Sequence, residues 1–242
     1  MRIDATKVHY KDLNEDINQG VAAGETEFIL DNIKGQRYIG VGIPEGVEIT
    51  INGVPGQDLG AFMNGAVVRV NGNVQDGTAN TMNKGKIVVR GDAGDITGYA
   101  MRGGKLFIRG HVGYRTGIHM KAFHELFPTV VVGDNAQDYL GEYMAGGVLI
   151  VLNLKDRENP TGHFVGAGMH GGAMYIRGKL EDFQVGAEVG FMEPNDEEWA
   201  YLQEVTKDFF QEMEMEPRVF EKSEFVKLYP KSARPYGNMY SY

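Results

Sequence analysis

One pattern recurs seven times along this chain: a short apolar run that closes on glycine or asparagine. The runs are Val47–Gly53, Ala66–Gly72, Gly85–Gly91, Gly104–Gly110, Phe127–Gly133, Gly147–Asn153 and Gly172–Gly178, and their closing positions are spaced 19, 19, 19, 23, 20 and 25 residues apart. The base period is therefore 19, with insertions of 4, 1 and 6. Self-similarity at a fixed period of this size marks a stack of small supersecondary units, none of which can bury its apolar face alone.

The second half of each unit repeats as well, in the form G-x-x-x-G-x-x-M. Its members are Gly56, Gly60 and Met63; Gly94, Gly98 and Met101; Gly113, Gly117 and Met120; and Gly162, Gly166 and Met169. The second unit keeps Met82, with Gln75 and Ala79 at the glycine places, and the fifth has Ala136, then Gly141 and Met144 after a one-residue insertion. Glycine supplies 34 of the 242 residues, about twice the usual share of roughly 7%. With only eight prolines, that excess reads as many tight turns rather than a flexible linker.

The apolar runs are too short for ordinary helices and are rich in valine and isoleucine, which suit strands. Side chains alternate across a strand. The residues two and four places before each closing position are expected to point inward: Ile51/Ile49, Val70/Val68, Val89/Ile87, Ile108/Leu106, Val131/Thr129, Val151/Leu149 and Ile176/Met174. A unit of one strand and one glycine-turned return stacks into an all-β, single-stranded-repeat parallel β-helix. About seven coils at the ~4.8 Å strand spacing make a rod on the order of 30 Å long. Met63, Met82, Met101, Met120, Met144 and Met169 form an internal column, thioethers being adaptable fillers of irregular space.

The ends of such a rod need covering. Residues 1–45 read as an N-terminal cap, with a helix near Tyr10–Ala23 carrying Tyr10, Leu13, Ile17 and Val21 on one stripe, then a first strand at Glu27–Ile33. The β-helix occupies 46–190. In 191–242, Pro194 to Glu198 resembles a helix start. Trp199, Leu202, Val205, Phe209 and Met213 then form the stripe of a capping helix. An irregular aromatic tail follows, with Phe220, Phe225, Tyr229, Tyr236, Tyr240 and Tyr242. The outward position three before each closing residue reads Thr50, Arg69, Val88, Phe107, Val130, Ile150 and Tyr175. From Val88 onward it is apolar and needs a cover, from a terminal segment or from another subunit. Association with a second copy stays open.

No catalytic, cofactor-binding or metal-binding residue is assigned. Cysteine is absent, which removes thiolate nucleophiles, disulfides and cysteine ligation of zinc or iron–sulfur clusters. Gly166 to Gly171 matches G-x-G-x-x-G, but it leads into a strand where a dinucleotide site needs a helix. The histidines (9, 111, 119, 124, 163 and 170) lack the H-x-x-x-H and H-E-x-x-H spacings of a metal site. His119 and His170 flank equivalent methionines, and a solvated or hydrogen-bonded role is expected. Asp58, Asp76, Asp95 and Asp138 recur in the turns, where carboxylates commonly bond nearby backbone. Arg90, Arg109 and Arg177 share an outward place, as solvated charges or a partner-binding row. The net charge of −9 argues against nucleic acid and anionic membrane surfaces. No apolar run approaches a membrane span and no signal core opens the chain, so a cytoplasmic location is expected.

Beyond the repeat, particular strings resemble a known family. Gly141-Glu142-Tyr143-Met144-Ala145-Gly146-Gly147, the strand Val148–Leu152 and the turn Gly162–Gly172 are similar to the C-terminal GXGXG β-helix domain of glutamate synthase. Gln57 to Phe62, Asp92 to Asp95, and Gly113-Tyr114-Arg115 also fit, so the likeness covers roughly residues 35–190. The Gly94–Gly110 stretch is equally similar to the β-helix subunit of formylmethanofuran dehydrogenase. The glutamate synthase resemblance implies a right-handed coil and a non-catalytic subunit of a multi-subunit enzyme. It would hold a glutaminase-type amidotransferase and an FMN/iron–sulfur synthase component together for ammonia transfer. FMN and the cluster would belong to those partners. The alternatives are the equivalent subunit of a formylmethanofuran dehydrogenase-like complex and, in a different class, a β-helix enzyme acting on polysaccharide. The last would need converging acids or a metal cluster, and no repeat-equivalent positions supply them.

Overall fold

A computed structural model describes residues 1–233. Its elements run β1 (Arg2–Asp4), α1 (Tyr10–Ala22), β2 (Glu27–Lys34), β3 (Glu48–Val54), β4 (Asn64–Asn71), β5 (Lys84–Val89), β6 (Lys105–Ile108), β7 (Thr129–Val132), β8 (Ala145–Val151), β9 (Gly171–Arg177), β10 (Val189–Met192), α2 (Asp196–Glu212) and β11 (Phe225–Pro230). They form one eleven-stranded sheet in the order β1-β2-β3-β4-β5-β6-β7-β8-β9-β11-β10. Every pairing from β1 to β9 is parallel, and β11 and β10 close the sheet antiparallel. A parallel β-solenoid is thus the observed fold. Between β3 and β9 the chain makes about six turns, slightly fewer than the seven coils expected.

The register follows the period. Ile49, Val68, Ile87, Leu106, Val130, Leu149 and Met174 pair in succession across β3 to β9, and so do Ile51, Val70, Val89, Ile108, Val132, Val151 and Ile176. All fourteen are buried in one continuous interior. The fifth repeat departs from the sequence reading by one residue. Leu106 pairs with Val130 and Phe107 with Val131, so Val130 and Val132 face inward, and Thr129 and Val131 face outward. A one-residue slip moves every side chain to the other face, and only this register keeps the threonine out of the core.

The returns stack too. Val74, Ala93, Val112, Ala136 and Thr161 form a narrow line of parallel bridges. In each return the methionine N–H closes a tight turn on the carbonyl three residues earlier, as in Met101 to Gly98 at 3.2 Å and Met120 to Gly117 at 3.1 Å. The six methionines are fully buried in the interior.

The two ends are closed differently. At the N-terminal end α1 sets Leu13 and Ile17 over the core beside Phe28 and Leu30. Gly20 of α1 approaches Phe28 so closely that a Cβ would lie 2.8 Å from its ring. At the C-terminal end the cover is β11 and β10, not the helix expected there. The segment read as irregular beyond 217 instead forms a turn at Lys222–Glu224 and the strand β11. Tyr236, Tyr240 and Tyr242 lie outside the described residues.

Helix α2 lies on the flank of the sheet. Asn195 caps it through a reciprocal box with Glu198, both bonds 2.9 Å, and three acids in its first turn suit the helix dipole. Its apolar stripe of Leu202, Val205, Phe209 and Met213 buries the outer column Val88, Phe107, Val131, Ile150 and Tyr175. Phe107 and Phe209 meet edge-on with centroids 5.7 Å apart. Ion pairs flank this seam: Arg69 with Glu212 at 3.1 Å, Lys86 with Asp208 and Glu212 at 2.8 and 3.0 Å, and Lys105 with Asp208 at 2.7 Å. At the other end Tyr201 bonds Thr129 at 2.7 Å. The helix therefore crosses the strands, and its 17 residues span about 25 Å, enough for five strand spacings of ~4.8 Å.

Candidate functional site: the glycine-turn wall

The residues singled out in the sequence fall into two groups in space. The outer column of Val88, Phe107, Ile150 and Tyr175 is sealed under α2 by the chain itself. Val130, placed in that column from the sequence, is inside the solenoid. None of the five offers a free surface to a partner, which corrects the interface reading: the cover comes from the chain's own helix.

The turn glycines and the acids prove to be parts of one device. Asp76 Oδ1 accepts from the Asp95 N–H at 2.9 Å, Asp95 Oδ1 from Tyr114 N–H at 2.8 Å, and Asp138 Oδ1 from His163 N–H at 2.8 Å. The carboxylate of one coil thus caps the backbone of the next. Those carboxylates occupy the space a Cβ would need at Gly94, Gly113 and Gly162, at 2.2, 2.1 and 2.2 Å. Gly56 has the same constraint from Gly35 O at 2.3 Å. The other turn glycines, Gly60, Gly98, Gly117, Gly141 and Gly166, adopt φ between +66° and +73°, the left-handed region that glycine enters without steric cost. These acids serve the turns and do not converge on a substrate. Behind them, Thr78, Thr97 and Thr116 are fully buried, with hydroxyls bonded to carbonyls three residues back. Their nineteen-residue spacing is a further sign of the repeat.

Two columns of larger residues on the same wall also hold positive φ. One contains Asp58, Ile96, Arg115, Tyr139 and Phe164, with φ from 48° to 64°; the other contains Phe62, Thr81, Ala100, His119 and Tyr143, with φ from 49° to 57°. This conformation is costly for residues with a side chain, above all for β-branched Ile96 and Thr81. Hydrogen bonds to the neighbouring coil accompany it: Ile96 N–H to Tyr114 O at 2.8 Å, Arg115 to Asp138 O at 3.0 Å, Thr81 to Tyr99 O at 2.8 Å, His119 to Glu142 O at 3.0 Å and Tyr143 to Ala167 O at 2.9 Å. The geometry turns the side chains away from the core.

Between the fourth and sixth returns these side chains gather. Arg115 Nε donates to Glu142 Oε2 at 2.9 Å, and the guanidinium lies 4.5 Å over the Tyr139 ring. Tyr139 stacks on Phe164 at 4.9 Å, and His119 on Tyr143 at 5.3 Å, with Tyr99 edge-on to His119 at 6.0 Å. Phe164 is 50% exposed and Tyr143 39%. His170 has different surroundings from His119, its Nδ1 lying 3.2 Å from Gly168 O. Stacked aromatics around an arginine, on rigid backbone and open to solvent, have the composition of a protein contact surface. Backbone strain concentrated at one face is likewise typical of functional sites.

The basic row divides. Arg109 is exposed. Arg90 pairs with Glu214. Arg177 is buried among Asp156 at 2.7 Å, Glu224 at 2.7 Å and the Asn153 carbonyl at 3.0 Å, and so is a structural hub rather than a solvated charge. A buried carboxylate that the sequence did not reveal, Asp134, is held by Arg157 and Lys155, both at 2.8 Å. The bond from Arg157, with help from Lys155, draws its pKa below the ordinary value against the opposing effect of burial. Among the described residues no three His, Asp or Glu side chains converge as a metal set, and no helix is long and apolar enough to cross a membrane.

The sequence model of a family described by its GXGXG motif matches residues 24–231. An uncharacterized protein of Methanocaldococcus jannaschii is 43% identical over 249 residues, an alignment that takes in 99% of this chain and 95% of that protein. Both matches run through the whole solenoid and α2. The strings Gly113-Tyr114-Arg115 and Glu142-Tyr143-Met144, distant in sequence, meet at the Arg115–Glu142 pair.

Proposed function

Because the chain belongs to the GXGXG motif family, we propose that it serves as the non-catalytic β-helix subunit of a glutamate synthase-like assembly. In this reading it holds a glutaminase-type amidotransferase and an FMN/iron–sulfur synthase component in register. Ammonia released at one then reaches the other before it is lost to solvent, a gain of proximity rather than of chemistry. The observation that carries the reading is the aromatic cluster of exposed Phe164, His119 and Tyr143 with half-buried Tyr139 around the Arg115–Glu142 pair. It stands on the part of the wall where the family-like strings come together. The chain has no cysteine, so the ligands of an iron–sulfur cluster come from the partner.

The experiment is reconstitution with the two catalytic proteins. The isolated chain is inactive with glutamine and 2-oxoglutarate. Added to the two partners, it raises glutamine-dependent glutamate formation and leaves glutaminase activity and ammonia-dependent synthesis as they were. Turnover by the chain alone, or no effect on the glutamine-dependent rate, refutes the proposal.

A further inference from the structure

We propose that the C-terminal rim of the solenoid takes up an extended segment of a partner polypeptide as one more strand on β10. The two rims differ in how finished they are. The N-terminal one ends in β1, three residues long with charged Arg2 and Asp4, and α1 buries Leu13 and Ile17 over the interior. Short, charged edges resist further pairing. The C-terminal one ends in β10, the outermost strand of the sheet, which reads Val189-Gly190-Phe191-Met192 and carries no charge, proline or bulge.

The hydrogen-bond phase of that edge follows from its partner. Lys231 N–H donates to Glu188 O at 2.8 Å, and the ladder continues as Val189 with Pro230, Gly190 with Tyr229, and Phe191 with Leu228. Antiparallel pairs alternate between bonded and non-bonded. Residues 189 and 191 therefore turn their N–H and C=O away from β11, which also accommodates Pro230, a residue with no N–H to give. Val189 N–H is taken by Gly186 O at 3.0 Å. Both backbone groups of Phe191, which is half-buried, have no partner among the described residues and lie on the outer edge, whereas Val189 is only 1% exposed and contributes nothing to it.

The side chains say what would fit. Val189 lies in the core and Phe191 packs against it half-buried, as do Leu180 and Val185 nearby. A strand laid on this edge meets an apolar surface on its inner face, so it carries apolar residues at alternate positions. The rim is acidic: Glu181, Asp182, Glu188 and Glu193 outnumber Lys179 and Lys231. A second copy of this chain, paired antiparallel through its own β10, would bring Glu193 of one copy to within a residue or so of Glu188 of the other, like against like. The incoming segment is instead flanked by lysine or arginine. This inference stands on the edge itself, whatever assembly the chain enters.

The test uses the full chain and a fluorescent synthetic peptide of alternating valine and threonine with two lysines at each end, followed by anisotropy. Saturable binding is expected, with slowed hydrogen exchange at the Phe191 amide. The same peptide with glutamates for lysines binds at least about tenfold more weakly, a difference of about 1.4 kcal/mol. Phe191→Pro removes an outward N–H without touching the β11 ladder and weakens the lysine peptide to a similar degree. A double charge reversal, Glu188→Lys with Glu193→Lys, inverts the preference between the peptides and serves if the proline variant does not fold. Four results overturn the proposal: no binding at millimolar peptide; equal affinity in the variants; a Phe191 amide already protected in the free chain and released when the chain stops at Ala233; or a dimer that Phe191→Pro dissolves.

Discussion

Asp95 stands in the space that a side chain on Gly113 would need: its Oδ1 lies 2.1 Å from an ideal Cβ there, and the same oxygen accepts the Tyr114 N–H at 2.8 Å. Glycine at one coil and carboxylate at the coil before it are two halves of one contact. Gly113→Ala is expected to destabilise the protein by about 1–3 kcal/mol through overpacking. Asp95→Ala alone forfeits one hydrogen bond, about 1 kcal/mol. Backbone atoms of Gly94 and Asp95 also approach to 2.8 Å, so the double variant recovers only part of the strain. Urea unfolding of the four proteins should show the double variant more stable than the summed single losses; strict additivity contradicts the pairing.

Ile96 holds φ 48° with 36% of its surface exposed. The left-handed region costs a side-chain-bearing residue about 1–2 kcal/mol, and asparagine tolerates it better. Ile96→Asn is expected to raise stability by about 0.5–1 kcal/mol after the loss of some apolar contact. A lower melting temperature for the variant would show that the strain is not there to be relieved.

Phe209 is fully buried and meets Phe107 edge-on. Phe209→Ala should cost about 3–5 kcal/mol and loosen α2 from the sheet. The readouts are thermal unfolding and dye binding by the uncovered column of Val88, Phe107, Val131, Ile150 and Tyr175. A variant as stable as the parent would mean that the helix is not held by this seam.

Asp134 supplies a pH dependence. Its folded-state pKa is depressed below the ordinary 3.8 by its bonds to Arg157 and Lys155. A depressed carboxylate stabilises the fold at every pH above the unfolded value, and that contribution fades as the pH falls through the folded one. Arg157 and Lys155 are themselves largely exposed, which holds the contribution to about 1 kcal/mol. Asp134→Asn is expected to melt below the parent at neutral pH, and the gap should close in acid beneath 3.8. A gap unchanged in acid assigns the loss to something other than charge.

Tyr143 and Phe164 are exposed at their stacking partners. Tyr143→Ala with Phe164→Ala should leave the stability within about 1 kcal/mol of the parent, yet weaken capture of the catalytic partners proposed above. Full-strength association would place the docking face elsewhere on the rod.

Much of the fold was legible because the nineteen-residue period fixes strand position and the alternation of valine and isoleucine fixes which face is dry. The reading slipped at β7, where an insertion after Met120 changes length. Only pairing with Leu106 shows that Val130, not Val131, is the inward residue. The acids were read correctly as turn residues, but their partners lie one coil away, a distance that local hydrogen-bond habits do not predict. The aromatic wall was missed for a different reason. Phe62, His119, Tyr143, Tyr139 and Phe164 are not alike in type. They share a backbone conformation, positive φ, and sequence patterns report composition far better than dihedral angle. The apolar column that sequence offered as an interface was a true surface, and its occupant was the chain's own α2.

That helix changes how the rungs depend on one another. In a bare stack each unit senses only its neighbours, and ends fray independently. Here one rigid segment is laced across the strands from Arg69 to Tyr175, so a rung cannot let go without tugging on those up to five places away. The strands from β4 to β9 should therefore come apart in a single event, and damage to any one of these rungs should be felt along all of them.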